Sequence, residues 1–216
     1  MTDFIILCME MIGVVAFAIS GTLVGISKRS DIIGCLFFAL VTTFGGGFFR
    51  DIILGEVPHV LWDTGYYIRV IVALAVSVVC ILLAFHPKAS AYLEKHQNDF
   101  LLNLSDAIGL SVFCVCGVEA LLASGVAYSR VTLIFVGTLT GVGGGILRDV
   151  FASEIPLVFR KHVYLLPAFL GTLLYVCIYP HVHELLSMFL SVGLIIVVRI
   201  LAIVYRWNLP TPLKKK

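Results

Sequence analysis

The chain has 216 residues, of which 60% are hydrophobic and 13% are charged, and its formal net charge is +2. Soluble domains carry about 25% charged residues, so this composition excludes an ordinary soluble domain and predicts an integral membrane protein in a lipid bilayer. The small net charge, with no basic surface interleaved with aromatic residues, argues against nucleic acid as a partner.

Seven apolar segments follow one another along the chain, each close to the roughly 20 residues that cross the hydrocarbon core. The N-terminus has no basic region before its apolar run, which argues against a removable signal peptide. We therefore predict an all-α protein with seven transmembrane helices in a single membrane domain, 1–216. The predicted spans are 4–26, 31–56, 66–86, 104–126, 130–154, 163–180 and 184–206.

Basic residues are concentrated in the connections on one side of the predicted bundle, whereas the opposite side has chiefly Arg130. Because basic connections stay in the cytoplasm, we predict that the N-terminus lies outside and the C-terminus lies in the cytoplasm. The residues on the basic side are Lys28, Arg29, Lys88, Lys95, Arg160, Lys161, Arg206 and the tail 214–216.

The motif Gly-Gly-Gly-x-x-Arg-Asp-x-x-x-x-Glu-x-Pro occurs twice, at 45–58 and at 143–156. Repetition at this length indicates a duplicated unit. The spans around the two motifs also align, which predicts a first repeat at 1–87, a second repeat at 104–180 and an unpaired seventh helix at 184–206.

Each predicted repeat contains three spans. Because three is odd, the second repeat enters the membrane from the opposite side, and the repeats form an inverted pair. Inverted repeats are common in transport proteins, whose sites lie near the bilayer midplane at discontinuous helices. We therefore predict an inverted three-plus-three arrangement plus one helix, with the second and fifth spans broken at the glycine triplets.

The triplets themselves, Gly45 to Gly47 and Gly143 to Gly145, have two interpretations. Glycine in a helix costs about 1 kcal/mol relative to alanine, so two triplets at equivalent places indicate a use of the backbone. One use is close packing of helices through small residues. The other is a kink that turns carbonyl groups towards an aqueous path.

Arg50 and Asp51, like their counterparts Arg148 and Asp149, lie inside predicted spans, where ionised groups are costly and mark ion or substrate paths. Neighbouring residues on a helix point about 100° apart, so we expect each of these residues to have a partner elsewhere. The alternative is that the charges only hold helices together, and this alternative is open above all for the two aspartates.

Depth in the membrane predicts the missing partners. Glu10 and Arg50 fall in the same outer half of the bilayer, and inverted symmetry gives Asp106 and Arg148 the same relation in the inner half. We therefore predict two ion pairs that bracket a central constriction. Glu119, deep in the fourth span, is a candidate contact for a cation or a contact between helices.

Threonines precede both triplets, and Thr42 and Thr140 are predicted to supply oxygen atoms to a partly hydrated ion. The six cysteines lie within predicted spans without a metal-binding spacing. The six histidines fall near span ends, where a surface position is expected. The sequence therefore predicts no metal site and no cofactor.

Two such motifs in a chain of 216 residues, with spans arranged as three plus three plus one, resemble the prokaryotic members of the trimeric intracellular cation (TRIC) channel family. The resemblance covers nearly the whole chain. It implies a homotrimer in which each subunit has its own pore, lined by the kinked second and fifth helices and permeable to monovalent cations, K+ or Na+. By position, it places these residues around the path: Gly45, Gly46, Gly47, Arg50, Asp51, Gly143, Gly144, Gly145, Arg148 and Asp149.

A bacterial group with a very similar repeat is described as glycine transporters, so a carrier for glycine or another small zwitterion is the alternative to a passive channel. An intramembrane aspartyl protease is disfavoured, because each aspartate follows an arginine that opposes a shared proton. The chain lacks the longer charged tail of animal members of the family, which favours the inner (plasma) membrane of a prokaryote. From the resemblance and the motifs together we expect a channel and not an enzyme.

Overall fold

The computed structural model describes residues 2–86, 99–160, 163–205 and 207, and in this part of the chain every regular element is a helix. This confirms the all-α class. The helices are α1 (Thr2–Ser27), α2 (Ile32–Leu54), α3 (His59–Trp62), α4 (Tyr66–Phe85), α5 (Asp99–Ala123), α6 (Arg130–Phe151), α7 (Leu157–Arg160), α8 (Leu165–Ile178) and α9 (Glu184–Val204). The predicted connection from the third to the fourth span lies largely outside the described residues.

Six of the described helices are long and apolar enough to cross a membrane: α1, α2, α4, α5, α6 and α9. Helix α8 is apolar but has only 14 residues, about 21 Å of helix at 1.5 Å per residue, against a hydrocarbon core of about 30 Å. The chain is therefore an integral membrane protein, and the seventh span predicted at 163–180 stays a prediction.

The ends of α2 follow from local sequence signals. Asp31 caps the N-terminus, because its side chain accepts a hydrogen bond of 2.7 Å from the backbone N–H of Gly34. Gly55 ends the helix with φ of 75°, a left-handed conformation that favours glycine. Pro58 follows and precedes the short helix α3, so the Glu-x-Pro segment lies beyond the end of the helix, as its sequence predicts.

Four helices form the centre of the bundle. Helix α1 packs against α2 and α5, and α6 packs against the same two helices. Helix α4 covers α1 and α2, while α8 covers α5 and α6, and α9 packs on α5 and α8. The aligned residues Phe17 and Phe113 stack on each other at 5.3 Å between ring centroids, a contact that a twofold relation between repeats produces.

Both α2 and α6 continue as α-helix through the glycine triplets, so neither helix is interrupted there, and a kink at the triplets stays a prediction. The triplets let the two helices cross in close contact. A Cβ atom on Gly46 would lie 1.9 Å from the carbonyl oxygen of Thr140, and one on Gly144 would lie 2.0 Å from that of Thr42. These contacts are reciprocal between the repeats, and they favour the packing interpretation of the triplets.

Candidate functional site

The first charged cluster consists of Glu10, Arg50, Asp51, Tyr66 and Arg69, which come from α1, α2 and α4. The Arg69 guanidinium donates to Glu10 Oε2 from Nη2 at 2.5 Å and from Nε at 3.0 Å. Arg50 donates from Nε to Asp51 Oδ1 at 2.8 Å. The predicted ion pair between Glu10 and Arg50 is therefore wrong, because each of these residues has a different partner.

The second charged cluster consists of Asp106, Arg148, Asp149, Tyr164 and Arg199. Arg148 forms the predicted ion pair with Asp106, with Nη1 2.7 Å from Oδ1, and it also donates from Nε to Asp149 Oδ1 at 2.9 Å. Arg199 Nη2 lies 3.7 Å from the second oxygen of Asp106. Each cluster therefore combines two guanidinium groups with two carboxylates and has no formal net charge.

The arginine and aspartate of each motif do pair with each other, which corrects the expectation that they face apart. The angle of about 100° between neighbouring residues describes only the directions in which their side chains leave the helix. The long arginine side chain bends back towards the aspartate that follows it. The other carboxylate oxygen accepts a backbone N–H beyond the helix end: that of His59 for Asp51 at 2.9 Å, and that of Leu157 for Asp149 at 2.8 Å. The aspartates thus fix the chain after each helix.

Sequence reasoning missed two arginines, Arg69 and Arg199. Arg69 lies over the Tyr66 ring at 4.6 Å, and Arg199 lies over the Tyr164 ring at 4.4 Å. The tyrosines are aligned between the repeats, but the arginines are not, since Arg199 belongs to the unpaired helix α9. An alignment of the repeats therefore does not find them, and the signal present was a basic residue inside an apolar span.

The two clusters differ in their access to solvent. A narrow cavity of about 30 Å³ reaches the first cluster and Thr140 near the crossing of α2 and α6. The side chain of Glu10 is 20% exposed, whereas those of Asp106 and Arg148 are 0% exposed. The first cluster therefore borders a cavity with room for water, here called the vestibule, whereas the Asp106–Arg148 pair of the second cluster is fully buried.

The last glycines of the two triplets, Gly47 and Gly145, also differ in how closely they are packed. A Cβ atom on Gly145 would lie 2.9 Å from the Tyr164 hydroxyl, whereas one on Gly47 would meet nothing closer than Arg50 at 3.9 Å. The second cluster thus packs tightly against its triplet. Space remains beside the first.

The other predicted residues lie nearby without joining either cluster. The hydroxyls of Thr42 and Thr140 donate to carbonyl oxygens one turn earlier, at 2.6 and 2.7 Å, and Thr140 lines the cavity while Thr42 is buried away from it. Glu119 accepts a hydrogen bond from the Tyr175 hydroxyl, which links α5 to α8. This contact favours the helix-packing interpretation of Glu119.

Comparisons with known proteins agree on the family. The chain is 30% identical to the solved TRIC trimeric intracellular cation channel orthologue from Rhodobacter sphaeroides, covering 93% of this chain and 98% of that one with a TM-score of 0.80. The chain belongs to the prokaryotic TRIC family.

Two further comparisons concern curated relatives and a family model. UPF0126 membrane protein YvgT of Bacillus subtilis is 34% identical over 94% of each chain. UPF0126 inner membrane protein YadS of Escherichia coli K12 is 32% identical over 94% of this chain and 93% of its own length. The family model described as glycine transporter matches this TRIC family member twice, at residues 7–84 and 103–180.

Proposed function

We propose that the chain is a passive channel for monovalent cations, K+ or Na+, with a pore in each subunit between α2 and α6. The observation that carries this proposal is the pair of charge-balanced clusters on either side of the glycine crossing. The similarity to a solved TRIC cation channel over nearly the whole chain supports the same function. The residues of the path are the two glycine triplets with Arg50, Asp51, Arg148 and Asp149; Asp106 is the charge partner of Arg148, and Glu10, which pairs with Arg69, lines the vestibule.

Charge compensation is the reason that arginines are compatible with a cation path. An uncompensated guanidinium in a low-dielectric path repels a cation strongly. Here Arg50 has Asp51 at 2.7 Å and Arg148 has Asp106 at 2.7 Å, so neither guanidinium presents an isolated positive charge. The partly exposed Glu10 then supplies carboxylate oxygen to an ion in the vestibule.

The described arrangement corresponds to a closed path. The cavity beside the first cluster is too small for a hydrated cation, and the second cluster is fully buried. Opening then requires Arg148, Asp106 and Tyr164 to separate from Gly145. We further propose a homotrimer in a prokaryotic inner membrane with its N-terminus outside, which puts the first cluster on the outer side.

A carrier for glycine or another small zwitterion is the second candidate, because the matching family model is described as glycine transporter. The first cluster offers groups of both signs at the end of one cavity. A guanidinium would bind the substrate carboxylate, and a carboxylate would bind its amine. Such a carrier differs from a channel in having saturable uptake.

Flux through proteoliposomes separates these two functions. Purified protein is expected to conduct K+ without saturation and to give unitary currents in planar bilayers. Glu10→Gln is expected to reduce the K+ flux about fivefold, since removing one charge about 4 Å from an ion in water costs about 1 kcal/mol. The measurement is K+ efflux beside uptake of labelled glycine in the same vesicles.

The matched control is Glu154→Gln, which makes the same chemical change at an exposed carboxylate that pairs with Lys28 and belongs to neither cluster. Its K+ flux should equal that of the wild type. Equal K+ flux through Glu10→Gln and the wild type would show that the vestibule is not part of the ion path. Absence of K+ flux in the wild type, with saturable glycine uptake that Arg50→Ala abolishes, would establish the carrier instead.

A further inference from the structure

His59 lies between two carboxylates at the end of α2. Its Nδ1 atom is 3.1 Å from Asp51 Oδ2, and its Nε2 atom is 4.0 Å from Glu56 Oε2. One ligand atom from each of these three residues lies within 4.8 Å of the others. The three side chains thus converge on one place beside the first cluster.

The hydrogen bond to Asp51 fixes which nitrogen of His59 is available. A carboxylate only accepts hydrogen bonds, so Nδ1 carries the proton and donates it to Asp51. In the neutral imidazole, Nε2 then presents its lone pair towards Glu56. In zinc sites, the histidine nitrogen that does not bind the metal usually donates a hydrogen bond to a carboxylate or another acceptor.

Access from solvent reaches the same side of the imidazole. A broad surface groove is lined by Glu56, Val57, His59 and Trp62 and does not include Asp51. Asp51 lies instead in the cavity of the first cluster. An ion in the groove therefore meets Nε2 and Glu56 directly, while Asp51 stays behind the ring.

We propose that His59 Nε2 and Glu56 form a site for a divalent transition metal such as Zn²⁺, completed by water and oriented by Asp51. Imidazole nitrogen and carboxylate oxygen both suit Zn²⁺, at about 2.0 to 2.2 Å. A tetrahedral ion at that distance needs its ligands about 3.3 Å apart, so the 4.0 Å between the two atoms must shorten slightly. Both side chains are partly exposed, at 31% and 35%, which leaves them free to adjust.

The His59 site has no counterpart at the aligned position of the second repeat. The position equivalent to His59 is Leu157, whose backbone N–H keeps the bond to the aspartate while its side chain offers no ligand. The leucine at the equivalent position indicates a suitable test variant, His59→Leu, which should preserve the backbone hydrogen bond to Asp51. The proposal does not depend on whether the path carries an ion or an amino acid.

Titration calorimetry of the purified full-length protein with ZnCl₂ tests the site. The wild type is expected to bind one Zn²⁺ per chain at this site, and a millimolar excess of Mg²⁺ should not displace it, because imidazole is a poor ligand for Mg²⁺. His59→Leu should abolish this binding. Glu56→Gln should weaken it about tenfold or more, a loss of 1.4 kcal/mol or more.

His181→Ala is the control for the remaining surface histidines, since His181 is exposed in the connection between α8 and α9. This variant should bind Zn²⁺ at the His59 site as the wild type does. The proposal is overturned if His59→Leu and the wild type bind Zn²⁺ with equal affinity and stoichiometry. It is also overturned if Glu56→Gln leaves the affinity unchanged while both variants unfold at the wild-type temperature.

Discussion

Gly46→Ala is expected to lower the free energy of unfolding by about 3 kcal/mol, the upper end of the usual cost of overpacking. The added methyl group would lie 1.9 Å from the carbonyl oxygen of Thr140, and a backbone atom cannot rotate away as a side chain can. Helices α2 and α6 must therefore move apart at their crossing. Gly144→Ala should behave alike, since its methyl group would lie 2.0 Å from the carbonyl oxygen of Thr42.

Gly47→Ala, in the same triplet, is the matched control for this prediction. Its methyl group would meet nothing closer than 3.9 Å, and alanine favours a helix by about 1 kcal/mol over glycine. Thermal unfolding in detergent should therefore give Gly47→Ala a midpoint equal to or above that of the wild type. Equal midpoints for Gly46→Ala and Gly47→Ala would contradict the close crossing of α2 and α6.

Asp106→Asn is expected to destabilise the protein by about 3–5 kcal/mol, because it leaves buried arginines without their shared counter-charge. Asp106 is 0% exposed, accepts from Arg148 at 2.7 Å and lies 3.7 Å from Arg199. An amide keeps the size of the carboxylate but removes its charge. The measurement is the midpoint of thermal unfolding together with the yield of folded protein from the membrane.

Glu10→Gln makes the equivalent change in the more exposed first cluster. Its carboxylate is 20% exposed and pairs with Arg69, itself 17% exposed, so water compensates for much of the lost attraction. We expect a loss of about 1 kcal/mol or less. If Glu10→Gln proved as destabilising as Asp106→Asn, the difference in solvent access between the clusters would not exist in the membrane.

The outline of the fold was predictable from sequence because hydropathy and duplication are long-range, redundant signals. Most predicted spans correspond to observed helices, and the pair formed by Asp106 and Arg148 followed from depth in the membrane together with the inverted symmetry of the repeats. The continuity of α2 through its glycine triplet was not predictable. The intrinsic cost of glycine in a helix suggests a break, whereas the contact with α6 that offsets this cost is tertiary.

The detailed pairing within the clusters was also beyond the sequence. Glu10 lies at a suitable depth for either Arg50 or Arg69, and only the packing of α4 on α1 decides in favour of Arg69. Likewise, no repeat alignment connects Arg199 with Asp106, since α9 has no counterpart in the first repeat. These contacts depend on how helices that are distant in the chain meet.

Helix α9 has a consequence for how the molecule is made. Arg199 is the last residue of the second cluster to leave the ribosome, more than fifty residues after Arg148. Until α9 inserts, Asp106 lacks one of its two cationic neighbours, and Tyr164 lacks the guanidinium that lies over its ring. All the charged residues of the first cluster, in contrast, are present once residue 69 has been synthesised, so the charges of one cluster are balanced early in translation and those of the other only near its end.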